Sequence, residues 1–215
     1  MLKIWGRRNA FNVQKVMWLV GELSIEHEHI PVGESFGGLD TPEFLAMNPC
    51  GRIPVIEDGE TIIWESHTIL RYLAATYGQN SFWSPHAYIR AKAERWMDWQ
   101  QTTLQPDFLT GVFWAFYRTP EPKRDWPAIH NNIQRCAKHF QLLDKFLQNQ
   151  PFLCDTQLSL ADIAVGTTLY RYFELEIERP EIPYITAWYE RLQTRPAYQE
   201  HVMVPFSEMQ GSLKF

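Results

Sequence analysis

The 215-residue chain carries 20 Lys and Arg against 25 Asp and Glu, for a formal net charge of -5, and 45% of its residues are hydrophobic. This composition is that of an ordinary globular protein and excludes disordered, collagenous and coiled-coil chains. Because the balance is mildly acidic and long basic runs are absent, nucleic acid and anionic membrane surfaces are not expected partners.

The apolar runs and the cysteines predict a protein of the reducing cytoplasm. No stretch approaches the roughly 18 consecutive apolar residues that a membrane helix needs, and residues 1–11 lack the apolar segment of a signal peptide. The three cysteines, Cys50, Cys136 and Cys154, are widely spaced and odd in number, which argues against a disulfide framework or a zinc cluster. Since no CxxC motif includes Cys50, we expect it to be a partly buried free cysteine.

The chain opens with a strand, a turn and a helix. Alternating apolar and polar residues predict a strand over residues 2–6. The helical spacing i, i+3, i+4, i+7 is followed by Val13, Val16, Met17 and Val20. A second strand is predicted over residues 27–32, and after a long loop a short helix begins at Thr41-Pro42 and must end before Asn48-Pro49.

Two further strands and a helix complete this region. The pair Asp58-Gly59 predicts a tight hairpin turn between strands at residues 53–57 and 61–64. The next helix opens at Glu65-Ser66 and ends near Tyr77-Gly78, where glycine is the expected stop. The predicted order is therefore β-α-β-α-β-β-α within the first eighty residues.

The second half of the chain is predicted to be all helical. From Ser84 onward the strand signals vanish, and long helical patterns are broken by Pro106, residues 119–122 and Pro180. A composition shift over residues 79–86 marks a boundary. We therefore predict an α/β domain over residues 1–80 and an all-α domain over residues 86–215.

Pro54 lies at the second position of a predicted strand, where proline cannot donate to a ladder. If the Ile53-Pro54 bond is cis, the N–H and C=O of Ile53 face solvent and can pair with an extended, peptide-like ligand. If the bond is trans, Pro54 is an ordinary strand-start proline.

The pair Glu65-Ser66 at the predicted helix start is the second chemical feature. Free backbone N–H groups and a hydroxyl at a helix N-terminus form an anion site that suits a carboxylate. The alternative is a plain helix cap that serves only the helix.

Together these segments resemble a known family. The motif at residues 48–54 is Asn-Pro-x-Gly-Arg-Ile-Pro, and the motif at residues 65–73 is Glu-Ser-x-x-Ile-x-x-Tyr-Leu. In a β-α-β-α-β-β-α unit they are similar to the N-terminal domain of the cytosolic glutathione transferases, and Ser159-Leu160-Ala161-Asp162 resembles the capping box of that family's helical domain. The resemblance covers essentially the whole chain and implies a thioredoxin-like N-terminal domain followed by an all-α C-terminal domain.

The resemblance also implies a glutathione site. Ile53, before a cis Pro54, should pair through its backbone with the cysteinyl part, and Glu65 and Ser66 should hold the γ-glutamyl end. Arg52 matches a basic position that binds the tripeptide in related classes through a charge-assisted contact. Its alternative is a solvated surface charge.

The position that stabilises the glutathione thiolate departs from the better-known classes. Theta-like relatives place a serine where this chain has Ala10, which cannot donate a hydrogen bond. Asn12 matches an asparagine of a bacterial nu-like group, and its amide at a helix N-terminus would favour ionisation of the thiol. Asn9 is the second candidate donor. The alternative is that Asn9 or Asn12 merely caps the helix.

The family further implies a hydrophobic co-substrate pocket, for which we expect Trp114 and Tyr117, and a homodimer. Glutathione is the expected co-substrate and no metal is expected. His27 and His29 share a strand face, but no third ligand lies near them in sequence.

Three functions remain open from the sequence. The main hypothesis is a transferase whose glutathione thiolate attacks an electrophilic apolar substrate. Ala10 and Asn12 also suit a nu-like disulfide reductase or peroxidase. The third is a non-catalytic interaction module of the same family.

Overall fold

The computed structural model describes residues 1–79 and 81–213 and divides the chain into two compact units. The first unit joins Met1–Arg90 with Arg195–Val204, and the second joins Ala91–Thr194 with Pro205–Phe215. The domain limits 1–80 and 86–215 stay predictions, and three of the residues they include, Asn80, Lys214 and Phe215, lie outside the described residues.

The element order of the first region is the predicted β-α-β-α-β-β-α. The strands are β1 (Leu2–Trp5), β2 (His27–Ile30), β3 (Val55–Asp58) and β4 (Thr61–Trp64). The helices are α1 (Phe11–Glu22), α2 (Pro42–Met47), α3 (Ser66–Tyr77), α4 (Ala87–Trp99), α5 (Trp126–Leu147), α6 (Leu160–Glu174), α7 (Pro183–Gln193) and α8 (Pro196–His201).

The sheet of the first unit has the strand order β2-β1-β3-β4. β1 pairs in parallel with β2 and antiparallel with β3, and β3 pairs antiparallel with β4 across the predicted hairpin. Ile4 and Ile56 are paired across β1 and β3 and are fully buried. On the other face of β1, the Trp5 ring packs against Phe44 of α2 with ring centroids 6.4 Å apart. Helices α1 and α3 pack against each other.

Helix α8 returns late in the sequence to pack on α1. The Arg195 guanidinium contacts both carboxylate oxygens of Glu22, at 2.7 and 2.5 Å. The rings of Trp18 and Tyr198 meet edge to face, with centroids 4.7 Å apart. The first unit is therefore completed by a segment more than a hundred residues downstream.

The second unit is built around α6, most of whose residues are buried. The predicted capping box at its start is confirmed, with the Ser159 N–H donating to the Asp162 carboxylate at 2.9 Å. The Leu153 N–H also donates to this carboxylate, at 2.8 Å. Since Asp162 is fully buried, the cost of desolvation raises its pKa to about 6.

The predicted helix break at Pro106 is wrong. After α4 the chain stays helical through Gln100–Leu104 and Pro106–Arg118, which have the wider turns of a π-helix. Proline lacks an N–H and its ring clashes with the carbonyl four residues earlier, and the wider turn moves that carbonyl away. The predicted break at residues 119–122 is confirmed, because Thr119 is extended. Among the described residues, no helix is both long and apolar enough to cross a membrane.

Candidate functional site

Three segments meet at one edge of the sheet, which we call the site edge. Because β3 runs antiparallel to β1 and β4, the ends of β1 and β4 lie beside the start of β3, as the pairs Trp5 with Val55 and Val55 with Trp64 show. The turn after β1, the Ile53-Pro54 segment and the start of α3 therefore lie side by side. A methyl group on Gly6 would lie 3.3 Å from the Ile53 Cβ, so the first two segments are in close contact.

Helix α1 begins at the site edge without a side-chain cap. Its cap residue is Ala10, whose side chain makes no capping hydrogen bond. Asn9 immediately precedes this cap, and Asn12 is the second residue of the helix. Both side chains are half-buried, and their Oδ1 atoms are buried. The helix N-terminus therefore carries two amide side chains at the position predicted for the thiol.

The Ile53-Pro54 bond is cis, which is the alternative that the resemblance implies. The described β1–β3 and β3–β4 ladders begin at Val55, so Ile53 lies before both of them. Ile53 is half-buried, and Arg52 beside it is exposed. The loop is held by Asn48, whose Nδ2 donates to the Arg52 carbonyl at 2.7 Å.

Helix α3 also begins at the site edge. Glu65 is its cap residue, has a φ of 70° and makes no side-chain capping bond, while its carbonyl accepts the Ile69 N–H at 2.9 Å. A positive φ is costly for a residue other than glycine and is concentrated at functional sites. The Ser66 side chain, which follows this cap residue, is buried. The alternative of a plain helix cap therefore does not hold for the Glu65 side chain, and the role of this pair as an anion site stays a prediction.

A buried basic pair, which the sequence analysis missed, joins α1 to α3 at the site edge. Lys15 is fully buried and its Nζ lies 3.1 Å from Nε2 of His67, which is also buried. Burial lowers the pKa of Lys15 well below its usual range, and the nearby Glu65 carboxylate opposes this shift. A signal for the burial of Lys15, though not for its partner, was present: residues 16–20 are apolar on every side of the helix, and a helix that is packed all round buries the neighbouring residue too.

The two residues expected in a co-substrate pocket belong to the second unit. Trp114 is half-buried, and the Arg118 guanidinium lies 5.3 Å from its ring centre. The Tyr117 ring stacks on Phe113 and meets Phe206 edge to face. Both residues thus lie in an aromatic cluster of the second unit, and their assignment to a pocket stays a prediction.

The two histidines of β2 form hydrogen bonds with backbone carbonyls of the protein. The His27 ring donates to the Ile25 carbonyl at 2.9 Å, and the His29 ring donates to the Gly6 carbonyl at 2.6 Å. Burial lowers the pKa of His29. Across the described ranges, no three His, Cys, Asp or Glu side chains are placed to hold a metal ion.

The expectation that Cys50 is partly buried is wrong. Cys50 is exposed, because it lies in a turn in which its N–H donates to the Asn48 side chain at 3.0 Å. Cys136 is buried and Cys154 is half-buried. Burial raises their pKa values to about 12 and about 11, so both thiols stay protonated at neutral pH.

Both parts of the chain match family models. Residues 1–75 match the glutathione S-transferase N-terminal domain, and residues 106–196 match the glutathione S-transferase C-terminal domain.

Individual relatives agree with these matches. Glutathione S-transferase GstB of Escherichia coli strain K12 is 38% identical over 96% of this chain and 100% of its own length. The disulfide-bond oxidoreductase YfcG of the same strain is 31% identical over 86% of this chain and 87% of its own. Among solved structures, a theta class glutathione S-transferase from Xanthomonas axonopodis pv. citri, with glutathione bound, superposes with a TM-score of 0.90 at 41% identity, covering 95% of this chain and 98% of that one.

Proposed function

The chain belongs to the glutathione S-transferase family and has the activity of a glutathione transferase, and from this premise we propose that it binds glutathione at the site edge. The observation that carries this proposal is the convergence of three segments: the uncapped start of α1, the Ile53 backbone ahead of its ladder, and the start of α3. The relative with glutathione bound supports the choice of ligand.

In this proposal each part of the tripeptide has its own partner. The backbone of Ile53, before Pro54, pairs with the cysteinyl part as an added strand would. Ser66 and the N–H groups that begin α3 bind the γ-glutamyl carboxylate, while the Glu65 carboxylate binds the γ-glutamyl amine. Arg52, exposed beside this segment, adds a positive charge.

Asn12, with Asn9 as the second candidate, stabilises the thiolate. A free thiol has a pKa of about 8.5, so most glutathione would be protonated at neutral pH without help. The Asn12 amide donates N–H groups and the N-terminus of α1 adds positive potential, and both favour the charged form.

The thiolate then attacks an electrophilic carbon of an apolar substrate. A sulfur–carbon bond forms, and the electron pair of the broken bond leaves with the displaced group or is protonated on the product. We propose that Trp114 and Tyr117 line the pocket for this substrate, because large half-buried aromatic side chains suit an apolar ligand.

The test is a thiol titration of bound glutathione, followed by the ultraviolet absorbance of the thiolate. In Asn12→Ala the pKa of the bound thiol should rise toward its free value, with little change in affinity. Asn9→Ala tests the second candidate. Asn131→Ala, an exposed asparagine of α5, is the matched control and should titrate like the unaltered protein. An unchanged titration in both Asn12→Ala and Asn9→Ala would remove the two amides from the mechanism.

A second candidate function is disulfide reduction. It is favoured by Ala10 in place of the serine, by Asn12, and by the relative named as a disulfide-bond oxidoreductase. In this chemistry the thiolate attacks one sulfur of a disulfide, forms a mixed disulfide and releases the other sulfur as a thiolate. Calorimetric titration with reduced and oxidised glutathione separates the two: tighter binding of the oxidised form favours the reductase, and binding of the reduced form alone favours conjugation.

We also propose that the protein works in the cytoplasm as a homodimer. The unpaired thiol of the exposed Cys50 suits a reducing compartment. Light scattering of the purified protein should give twice the chain mass of 25.4 kDa. A mass of one chain at micromolar concentration would contradict the dimer.

A further inference from the structure

Helix α8 ends at a histidine that has no part in the proposed function. His201 is buried, with 7% of its surface exposed. Its ring lies against Gly21 of α1, where an added methyl group would come within 2.9 Å of the ring Cδ2 and 3.0 Å of Nε2. Contacts this short leave room for glycine alone, so the imidazole packs directly on the backbone of α1.

The His201 ring is bonded in a way that suits its neutral form. Its Nδ1 is buried and has no hydrogen-bond partner among the described residues. A neutral imidazole carries one donor and one acceptor, whereas the protonated ring carries two donors and a positive charge. Protonation of the packed ring would therefore bury a charge, and would leave at Nδ1 an N–H without an acceptor. Both changes cost free energy.

Three basic side chains act electrostatically on His201, and each opposes its protonation. Arg8 belongs to the turn after β1, and His27 and His29 belong to β2. The two strand histidines pair with buried residues of β1, so their side chains lie on a covered face of the sheet. The cluster therefore joins groups from three separate segments of the first unit.

The acidic groups near His201 compensate little of this positive charge. The Glu200 carboxylate is exposed and lies 3.9 Å from Nε2 of His201, which is too far for a hydrogen bond. The Glu22 carboxylate of α1 is already paired with Arg195. Burial lowers the pKa of His201, the Glu200 carboxylate opposes this shift, and the three basic side chains add to it.

Helix α8 depends on its docking to stay in place. It has six residues, far fewer than the roughly 12–15 that an isolated helix needs in water. Near its end, Arg8 donates to the Glu200 carbonyl at 3.2 Å, and Gln14 of α1 donates to the Val202 carbonyl at 3.3 Å. A change that repels His201 from α1 therefore acts on the whole short helix.

We propose that His201 is an acid-sensitive latch, which holds α8 on α1 while its ring is neutral and releases α8 when the ring is protonated. Released His201 reaches solvent, where the charged imidazole is stable. Below the ordinary histidine pKa of about 6.5 the open form binds more protons than the closed form, so docking weakens as the pH falls through this range. Above it docking is independent of this group. The latch goes beyond the proposed function, because it does not depend on the identity of the ligand.

The experiment is amide hydrogen exchange of the purified protein at about pH 7 and about pH 5, expressed as protection factors that correct for the pH dependence of free amides. In the unaltered protein the open population of α8 should rise by up to about tenfold for each pH unit below about 6.5. Amides of α8 should lose protection, while those of α3, the other helix packed on α1, should keep it.

Three variants test whether His201 is the responsible group. His201→Gln takes up no proton, so the protection of its α8 should not change between the two pH values. His130→Gln, which alters an exposed histidine of α5, is the matched control and should behave like the unaltered protein. Glu200→Gln removes the carboxylate that favours the charged ring, so its α8 should lose more protection in acid than that of the unaltered protein.

Two results would overturn the latch. If α3 loses protection in acid as much as α8 does, acid opens the first unit as a whole. If His201→Gln keeps the pH dependence of the unaltered protein, another group is responsible. Should His201→Gln not fold, nuclear magnetic resonance of the unaltered protein decides, because the latch requires the His201 ring to titrate below the ordinary value of about 6.5. Titration at or above that value would refute it.

Discussion

Helix α6 begins at a serine and an aspartate that cap it reciprocally, whereas helix α1 begins at Ala10, whose side chain makes no capping hydrogen bond. Helix α3 resembles α1 in this respect, because Glu65 contributes no side-chain cap. A capped helix start satisfies its own N–H groups and contributes to folding. An uncapped start forgoes that stability and leaves the positive end of the helix to a ligand.

The largest expected effect comes from a substitution that removes the capping box of α6. Asp162→Ala leaves the buried N–H of Leu153 and the half-buried N–H of Ser159 without their acceptor, so the free energy of unfolding should fall by about 3 kcal/mol or more. Urea unfolding near pH 5, below the pKa of Asp162 in the folded protein, measures this loss. The folded fraction should still bind glutathione with unchanged affinity, and a loss under 1 kcal/mol would contradict the folding role.

The second prediction concerns how the stability that Asp162 contributes at the start of α6 depends on pH. The pKa of Asp162 is raised to about 6 by burial, from an unfolded value near 4. Between these values the folded state binds more protons than the unfolded chain, so the stability that Asp162 contributes is complete below pH 4 and is lost as the pH rises through 6. The stability of the unaltered protein minus that of Asp162→Asn should therefore be about 2 kcal/mol greater at pH 4 than at pH 7. A pH-independent difference would contradict the shift.

The third prediction tests the start of α3 as a ligand site. Ser66→Ala removes one hydrogen bond to the γ-glutamyl carboxylate, and the dissociation constant for glutathione should rise about fivefold, or about 1 kcal/mol. Because the cap residue of α3 is Glu65 and not Ser66, the melting temperature should hardly change. Ser207→Ala, an exposed serine that begins a short helix of the second unit, is the matched control. If stability falls and affinity does not, Ser66 serves the fold instead.

The smallest expected effect comes from a substitution that gives the uncapped start of α1 a capping side chain. In Ala10→Ser the hydroxyl can accept an N–H of the first turn of α1, which should add about 0.5–1 kcal/mol to the free energy of unfolding. The same hydroxyl can donate to the thiolate, so the pKa of bound glutathione should fall. Ala10→Gly, which adds no hydroxyl, should show neither effect. An unchanged thiol pKa in Ala10→Ser would mean that the thiol lies elsewhere.

Features with local causes could be predicted from the sequence. The hairpin follows from Asp58-Gly59, and the start of α6 follows from a capping box within four residues. The segments that meet at the site edge could be located in the sequence because their motifs are short and each occupies one strand or helix end. The resemblance supplied the order in which these motifs meet.

Features that depend on distant residues could not be predicted. The ion pair of Arg7 and Glu34 joins two loops, and the Lys15–His67 pair joins two helices 52 residues apart. The helix break predicted at Pro106 is wrong because proline usually ends a helix. Here the π-helical turns around Pro106 remove the clash between its ring and the carbonyl four residues earlier. The return of α8 has no local signal, since its contacts with α1 involve residues 173 positions apart.

That return has a consequence for how the protein is made. The face of α1 that α8 covers includes Trp18, which is fully buried in the finished protein. During synthesis on the ribosome this face stays uncovered until residues 195–204 have emerged, about 10 s after Arg90 at ordinary rates of synthesis. The N-terminal unit therefore cannot finish folding first, although it is made first. A nascent chain released before residue 195 exposes the tryptophan-bearing face of α1 to chaperones and proteases.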